Sequence, residues 1–193
     1  MTDPIANQSG NPFKENLRED RRQIGLWCGL SSNLVAELLN PIGFDWILFD
    51  GEHAPNDIPI LLGQLQAMRG SATEPIVRPE WNDAVIIKRL LDIGFRSFLV
   101  PMVQNAEEAR AAVAATRYPP EGIRGVATIN RAAAYGGNPN YIKSANSNVC
   151  VTVQIETSES MDNLESICGV DGVDGIFVGP SDLAASLGHL GDP

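Results

Sequence analysis

Short apolar runs alternate along this chain with longer segments in which apolar residues recur every three or four positions. The short runs predict β-strands at residues 24–29, 45–50, 75–78, 98–103, 149–155 and 175–178, with a weaker one at 125–127. The longer segments predict helices at 32–39, 59–68, 82–92, 105–116 and 157–167, and a last helix from Pro180 onward. Strands and helices that alternate through short loops indicate parallel βαβ units, so we predict an α/β fold.

Ionisable and amide side chains follow the carboxyl ends of most of these strands. They are Asp50, Glu52, His53, Arg78, Gln104, Glu156 and Asp182. A barrel brings all its strand ends into one ring, where the active sites of such folds lie. A doubly wound sheet brings together only the strand ends beside its switch point. This distribution therefore favours a (β/α)8 TIM barrel.

The length of the chain modifies that prediction. A complete barrel takes about 250 residues, whereas this chain has 193 and ends after the seventh candidate strand and a short helix. We therefore expect a barrel that lacks its C-terminal strand and helix. Residues 1–22 are polar and are expected to form a flexible tail, which leaves residues 23–193 as a single barrel domain.

Composition narrows the choice of partner and compartment. The 14 basic and 24 acidic residues give a formal charge of -10, which argues against nucleic acid or an anionic membrane as the partner. The three cysteines lack metal-ligand spacing and indicate free thiols in a reducing compartment. No segment approaches the roughly 20 apolar residues of a membrane span. We expect a cytoplasmic protein.

Three ionisable residues follow the apolar strand that ends near residue 50. His53 is suited to act as a general base near neutral pH, and Asp50 could orient it or share a water molecule with it. The alternative is a capped strand end followed by a solvated acidic loop. Arg78 ends the next strand and could bind a carboxylate or stabilise an enolate oxygen. Its alternative role is a structural ion pair with Asp50 or Asp92.

Two carboxylates near later strand ends are candidate metal ligands. Alternation within the strand directs Gln154 and Glu156 to the same side, toward the barrel interior. Glu156 could bind a metal or cap the following helix, and Asp182 could bind a metal or complement the helix dipole. The backbone N–H groups at the helix opening at residues 179–182 could receive a carboxylate or phosphate.

Oxygen ligands without a neighbouring Cys or His suit Mg²⁺, Mn²⁺ or Co²⁺ better than a structural zinc ion. The only lysines are Lys14, Lys88 and Lys143. None of them falls on a predicted strand end, which disfavours chemistry through a Schiff base.

Taken together, these segments resemble the class II pyruvate aldolases of the HpcH/HpaI family. The resemblance runs from about Gln23 to the end of the chain. It rests on IGLW (24–27), FDW (44–46), DGEH (50–53), VRP (77–79), VPMVQ (100–104), RYPP and GIRGV (117–126), QIE (154–156) and GPSDL (179–183). It implies a TIM barrel of the phosphoenolpyruvate/pyruvate type. Residues 130–138 depart from the family pattern, which bears on the preferred aldehyde.

The resemblance also implies a role for each site residue. Glu156 and Asp182 would hold the divalent metal, and His53 with Asp50 would activate a metal-bound water. Asp92 would support His53, and Arg78 would steady the pyruvate enolate. The remaining residues would contact substrate: Gln154, Gly179, Pro180, Ser181 and Asp182 on the pyruvate side, and Val126 on the aldehyde side.

The implied reaction is the reversible cleavage of a 4-hydroxy-2-oxo acid, such as 4-hydroxy-2-oxoheptanedioate from aromatic catabolism, to pyruvate and an aldehyde. A homo-oligomer, specifically a hexamer, is also implied. One alternative is an aldolase for a sugar acid such as 2-dehydro-3-deoxyglucarate. The other is a CoA-thioester lyase of the citrate-lyase β type, which would need a basic rim that this sequence does not provide.

Overall fold

Six parallel strands form one sheet in the computed structural model, which describes residues 10–191. They are β1 (Gly25–Cys28), β2 (Trp46–Asp50), β3 (Glu74–Arg78), β4 (Ser97–Val100), β5 (Cys150–Ile155) and β6 (Gly175–Val178). Each strand pairs with the next in chain order. A doubly wound sheet reverses its strand order at a switch point, so this order excludes that alternative and confirms the parallel α/β prediction.

The sheet curls into a half-barrel. The rings of Trp27 on β1 and Phe177 on β6 lie 5.5 Å apart between centroids, although these strands stand at opposite ends of the sheet order. Successive parallel strands that pair in chain order and curl in this way are the arrangement of a TIM barrel, which has eight of them. The architecture therefore fits a barrel whose first and last described strands face each other without pairing within residues 10–191.

Nine α-helices accompany the strands within the described residues. They are α1 (Pro12–Arg18), α2 (Asn33–Leu39), α3 (Ile58–Ala67), α4 (Ala84–Ile93), α5 (Ala106–Thr116), α6 (Tyr141–Asn148), α7 (Ser158–Asp162), α8 (Leu164–Cys168) and α9 (Pro180–Ser186). Side chains of the residues before α2, α3, α4, α5 and α7 accept backbone N–H groups of the first turn. These local caps explain why the helix starts could be predicted. None of the described helices is long and apolar enough to cross a membrane.

Two predicted elements need correction. Residues 125–127 form an irregular loop and not a strand. The Val126 side chain is 62% exposed, so this segment does not bury the apolar residue on which the prediction depended. The helix predicted at 157–167 divides into α7 and α8 at Asn163, whose backbone (φ -97°, ψ 7°) leaves the helical range. The structure also contains α6, which the sequence pattern did not predict.

Residues 12–18 form helix α1, so the flexible tail predicted for residues 1–22 is wrong over this helix. Phe13 and Lys14 are buried, and Phe13 packs against inward residues of the sheet such as Leu48. The Lys14 ammonium lies 3.1 Å from Asp174 and donates to the Val149 carbonyl at 2.5 Å. Helix α1 therefore covers the amino end of the half-barrel, while residues 1–9 lie outside the described part.

The sheet has two apolar faces that alternate along each strand. On β2, Ile47 and Phe49 pack outward against the helices, whereas Leu48 packs inward with Ile76 and Leu99 of neighbouring strands. A strand repeats its side-chain direction every second residue. The same alternation therefore determines which residues at the carboxyl ends of the strands point into the barrel.

Candidate active site

Strand alternation directs four polar side chains into the barrel at the carboxyl ends of three strands. Asp50 follows Leu48 on β2, Arg78 follows Ile76 on β3, and Gln154 and Glu156 continue the inward side of β5. All four are at least nine-tenths buried. Because a buried charge is costly without a partner, the contacts among these side chains define what the site can do.

Arg78 and Asp50 form a two-pronged ion pair. The Arg78 Nε and one terminal nitrogen donate to the two carboxylate oxygens of Asp50 at 2.8 and 2.6 Å. Trp27 supports both partners, since its indole N–H donates to Asp50 at 3.2 Å and its ring lies 4.5 Å from the guanidinium carbon. The predicted structural pair of Arg78 is therefore with Asp50 and not with Asp92.

These contacts set the protonation of Asp50. Burial acts to raise the pKa of its carboxyl, but the hydrogen bonds and charge of Arg78, with the Glu52 N–H, outweigh it. The pKa of Asp50 consequently lies below its ordinary value. Asp50 is a fixed carboxylate that orients Arg78.

Glu52 is a site residue for which the sequence pattern predicted no role. Its carboxylate lies 2.8 Å from a terminal nitrogen of Arg78 and 3.9 Å from Nε2 of His53. Burial raises the pKa of Glu52 above its ordinary value, and nearby Glu156 and Asp50 act in the same direction against the attraction of Arg78. The sequence feature that could have identified Glu52 is its position between Asp50 and His53, next to the predicted base.

The His53 imidazole is two-thirds exposed and lies on the loop that follows the carboxyl end of β2. Its backbone N–H donates to Asp50 at 3.3 Å, so Asp50 positions the loop. Both carboxylate oxygens of Asp50 accept hydrogen bonds from Arg78. Among the ion pairs of the described residues, the imidazole is paired with the Glu52 carboxylate. The structure thus brings His53 to the site but beside Glu52.

Asp92 lies away from His53 in this chain. Helix α4 begins near the carboxyl end of β3 and runs back antiparallel to that strand. The last turn of α4 therefore lies about 13 Å along the helix axis from the end of the barrel that holds His53. There Asp92 accepts from Arg124 at 2.9 Å and from Asn130 at 3.0 Å. Val126 lies on the same exposed loop as Asn130. Neither Asp92 nor Val126 joins the other predicted site residues within the described chain.

Glu156 is held on both carboxylate oxygens. The Met102 N–H donates to Oε1 at 2.7 Å, and the Gln154 amide donates to Oε2 at 2.5 Å. The other end of the same amide accepts from Arg78 at 3.3 Å. A Cβ on Gly179 would stand 2.6 Å from Oε2 of Glu156, so only glycine fits here without displacing the carboxylate.

The donor set at this end of the barrel fits a divalent metal. Glu156 is 2% exposed and forms no ion pair with Lys, Arg or His within residues 10–191. Asp182 stands exposed in the first turn of α9, which begins directly after Gly179. A buried carboxylate without a protein cation, together with an exposed carboxylate three residues after Gly179, suits an oxygen-preferring ion. Pro180 and Ser181 are exposed in the same turn.

Two carboxylates do not make a complete protein cage. The described residues contain no group of three His, Cys, Asp or Glu side chains arranged to hold a metal. The remaining coordination positions would therefore fall to substrate and water. A ring of inward polar groups at the carboxyl ends of parallel strands defines the class of barrel enzymes whose chemistry lies at that face.

Comparison with known proteins identifies the class further. Residues 23–193 match the family model described as HpcH/HpaI aldolase/citrate lyase. The chain belongs to this family, which confirms the resemblance drawn from its motifs, and it is a carbon–carbon lyase of the aldolase type.

Individual relatives agree with this assignment. The chain is 59% identical over 184 residues to 4-hydroxy-2-oxo-heptane-1,7-dioate aldolase of Klebsiella pneumoniae subsp. pneumoniae, covering 95% of this chain and 69% of the relative. It is 55% identical to pyruvate aldolase of Rhizobium etli, covering 95% and 72%. A solved HpcH/HpaI family protein from Burkholderia cenocepacia J2315 superposes with a TM-score of 0.92 at 44% identity, covering 94% and 74%.

Proposed function

We propose that this protein is a metal-dependent class II aldolase that reversibly cleaves a 4-hydroxy-2-oxo acid, such as 4-hydroxy-2-oxoheptanedioate, to pyruvate and an aldehyde. The observation that carries the proposal is the buried Glu156 carboxylate, which has no protein cation as a partner within residues 10–191 and is joined through Gln154 to the buried Arg78. The names of the Klebsiella and Rhizobium relatives support the same substrate class.

Glu156 and Asp182 are the residues that would hold Mg²⁺, Mn²⁺ or Co²⁺. A divalent ion supplies Lewis-acid polarisation of the 2-oxo group. The turn at residues 179–182 begins beside the Glu156 carboxylate and would lie beside the pyruvate carboxylate, with Gln154 next to it.

Arg78 would neutralise the negative charge that develops on the pyruvate oxygen. Its guanidinium is already fixed by Asp50, Glu52 and Trp27, so little reorganisation would accompany the reaction. His53 would take the proton of the 4-hydroxyl group, because its imidazole is exposed beside Glu52 and suits a general base near neutral pH. Glu52 would act beside it as the nearest carboxylate.

A homo-oligomer, a hexamer in the form implied by the family resemblance, would reconcile the positions of Asp92 and Val126 with their expected roles. Both lie away from His53 in a single chain, and a neighbouring copy could supply them. Three free cysteines, two of them buried, agree with a cytoplasmic location.

The decisive experiment measures pyruvate release from 4-hydroxy-2-oxoheptanedioate by chelated protein before and after addition of Mn²⁺, Mg²⁺ or Co²⁺. We expect cleavage only with metal, and we expect Glu156→Gln to lose it while Glu159→Gln, an exposed neighbour on α7, retains it. Full activity of the chelated protein would refute metal dependence. 2-Dehydro-3-deoxyglucarate and acetyl-CoA with oxaloacetate, tested in parallel, would reveal the sugar-acid aldolase and the citrate-lyase alternative.

A further inference from the structure

Met102 has a backbone conformation that a residue with a side chain rarely adopts. Its φ of +54° lies in the left-handed region, two residues after the end of β4. Side chains disfavour this region because Cβ approaches the backbone, and such outliers persist only where the surrounding structure enforces them. The position therefore calls for a reason in the structure.

The turn around Met102 is fixed on both sides. Pro101 has no N–H and ends the ladder of β4, and the side chain of Val103 is fully buried. The Gln104 N–H donates to Glu108 at 2.8 Å, and its carbonyl accepts from the Asn163 amide at 3.0 Å. These contacts leave the Pro101–Met102 peptide little freedom to rotate.

This backbone conformation allows Met102 to form one hydrogen bond with a site residue. The Met102 N–H points into the barrel and donates to Oε1 of Glu156 at 2.7 Å, opposite the Gln154 amide on Oε2. With φ at an ordinary negative value, the Pro101–Met102 peptide plane would turn and its N–H would leave the carboxylate. Two fixed donors, one on each oxygen, determine the plane of the carboxylate and leave the remaining lone pairs of both oxygens available.

We propose that Met102 is a positioning residue for the metal site, whose left-handed backbone orients the Glu156 carboxylate for a divalent cation. The proposal rests on the proposed function in assigning Glu156 as a metal ligand. The role belongs to the backbone of Met102, because the bond to Glu156 comes from its N–H group and its half-buried side chain is an apolar thioether. Groups that orient a ligand from behind commonly change metal affinity by about 10–100-fold when they are lost.

The test compares two isomeric side chains at this position. Leu and Ile have the same atoms, but Ile is branched at Cβ and therefore strongly disfavours positive φ. Binding of Mn²⁺ to the full chain is measured by electron paramagnetic resonance, with thermal unfolding followed in parallel. We expect Met102→Leu and Met102→Asn to bind Mn²⁺ within about twofold of the wild type, and Met102→Ile to bind it about tenfold more weakly.

The outcomes separate this proposal from the proposed function. If Glu156→Gln abolishes Mn²⁺ binding while the Leu and Ile variants bind equally, the role of Met102 is refuted and the metal assignment stands. If Glu156→Gln binds Mn²⁺ as the wild type does, both ideas fail. Should Met102→Ile not fold, Met102→Val and Met102→Ala provide the same comparison, because Val is branched at Cβ and Ala is not; equal affinities would again refute the role.

Discussion

Arg78 pairs with the carboxylates of Asp50 and Glu52, and the two carboxylates differ in their contacts with it and in their pKa. Asp50 holds two of its nitrogens and is stabilised as an anion, whereas Glu52 contacts the third nitrogen in a place where burial raises its pKa. The first arrangement fixes the guanidinium, and the second places a carboxyl with a raised pKa 3.9 Å from Nε2 of His53. Arg78, which would face the substrate, is thus in direct contact with Glu52, whose pKa is raised.

This difference predicts the pH dependence of a Glu52→Gln variant. A carboxyl with a raised pKa in the folded protein binds its proton more tightly there than in the unfolded chain, so its ionisation removes stability as pH rises. We therefore expect Glu52→Gln to have a higher Tm than the wild type at pH 8, with the gain vanishing near pH 4. Glu80→Gln, an exposed carboxylate on the next loop, should show no such pH-dependent gain. A lower Tm for Glu52→Gln at pH 8 would contradict the raised pKa.

The assignment of His53 as the base is testable against the other histidine of the chain. We expect His53→Ala to lower kcat by about 10²–10⁴, the usual loss when a general acid–base group is removed. Its affinity for Mn²⁺ should stay unchanged, because Glu156 and Asp182 lie on other elements. His189→Ala, which changes an exposed residue beyond α9, should keep wild-type kcat. Normal turnover by His53→Ala at saturating substrate would place the base elsewhere.

At the scale of elements, the six strands of the sheet followed from the sequence, whereas α1 and α6 did not. Buried parallel strands are continuous apolar runs bounded by polar residues, as in β2, and this signal is local. Helix α1 has seven residues and two apolar positions, Phe13 and Leu17, so its stability comes from contacts with residues far along the chain. Such contacts leave no periodic trace in the sequence.

The site shows the same division. Alternation along the strands was sufficient to place Gln154 and Glu156 on the inner face, because it depends only on residue spacing. The φ of Met102 and its N–H bond to Glu156 could not be predicted, since neither depends on the Met side chain. Glu52 could not be predicted as the carboxylate beside His53, because the sequence does not show that Arg78 pairs with both carboxylate oxygens of Asp50.

Helix α1 should contribute measurably through the buried Lys14–Asp174 pair. Both side chains are less than a tenth exposed, and removing one member of a buried pair leaves an uncompensated charge. We expect Lys14→Ala to lower the free energy of unfolding by about 3 kcal/mol in urea denaturation. Lys143→Ala, which removes an exposed lysine on α6, should change it by less than about 0.5 kcal/mol. Equal effects of the two substitutions would show that α1 does not anchor the amino end of the barrel.

At the scale of the whole molecule, the positions of the site residues bear on the homo-oligomer proposed above. Asp50, Glu52, His53 and Arg78 gather at one end of the half-barrel, whereas Asp92 is held by Arg124 at the far end of α4. The family resemblance nevertheless pairs Asp92 with His53. Both statements hold together if each active site takes His53 from one copy and Asp92 from a neighbour, as a closed oligomer allows.

Mixing two inactive variants tests this arrangement. His53→Ala and Asp92→Asn are each expected to be nearly inactive alone. If the two residues act across an interface, co-expressed or refolded mixtures contain sites that take His53 from the second variant and Asp92 from the first. Random assembly of equal amounts restores about a quarter of the sites, and activity should rise to that level. His53→Ala mixed with Glu156→Gln provides the control, because both residues sit in the same half-barrel and no intact site can form if they serve one active site. Activity that stays at the level of the separate variants in both mixtures would show that Asp92 does not serve His53 of another copy.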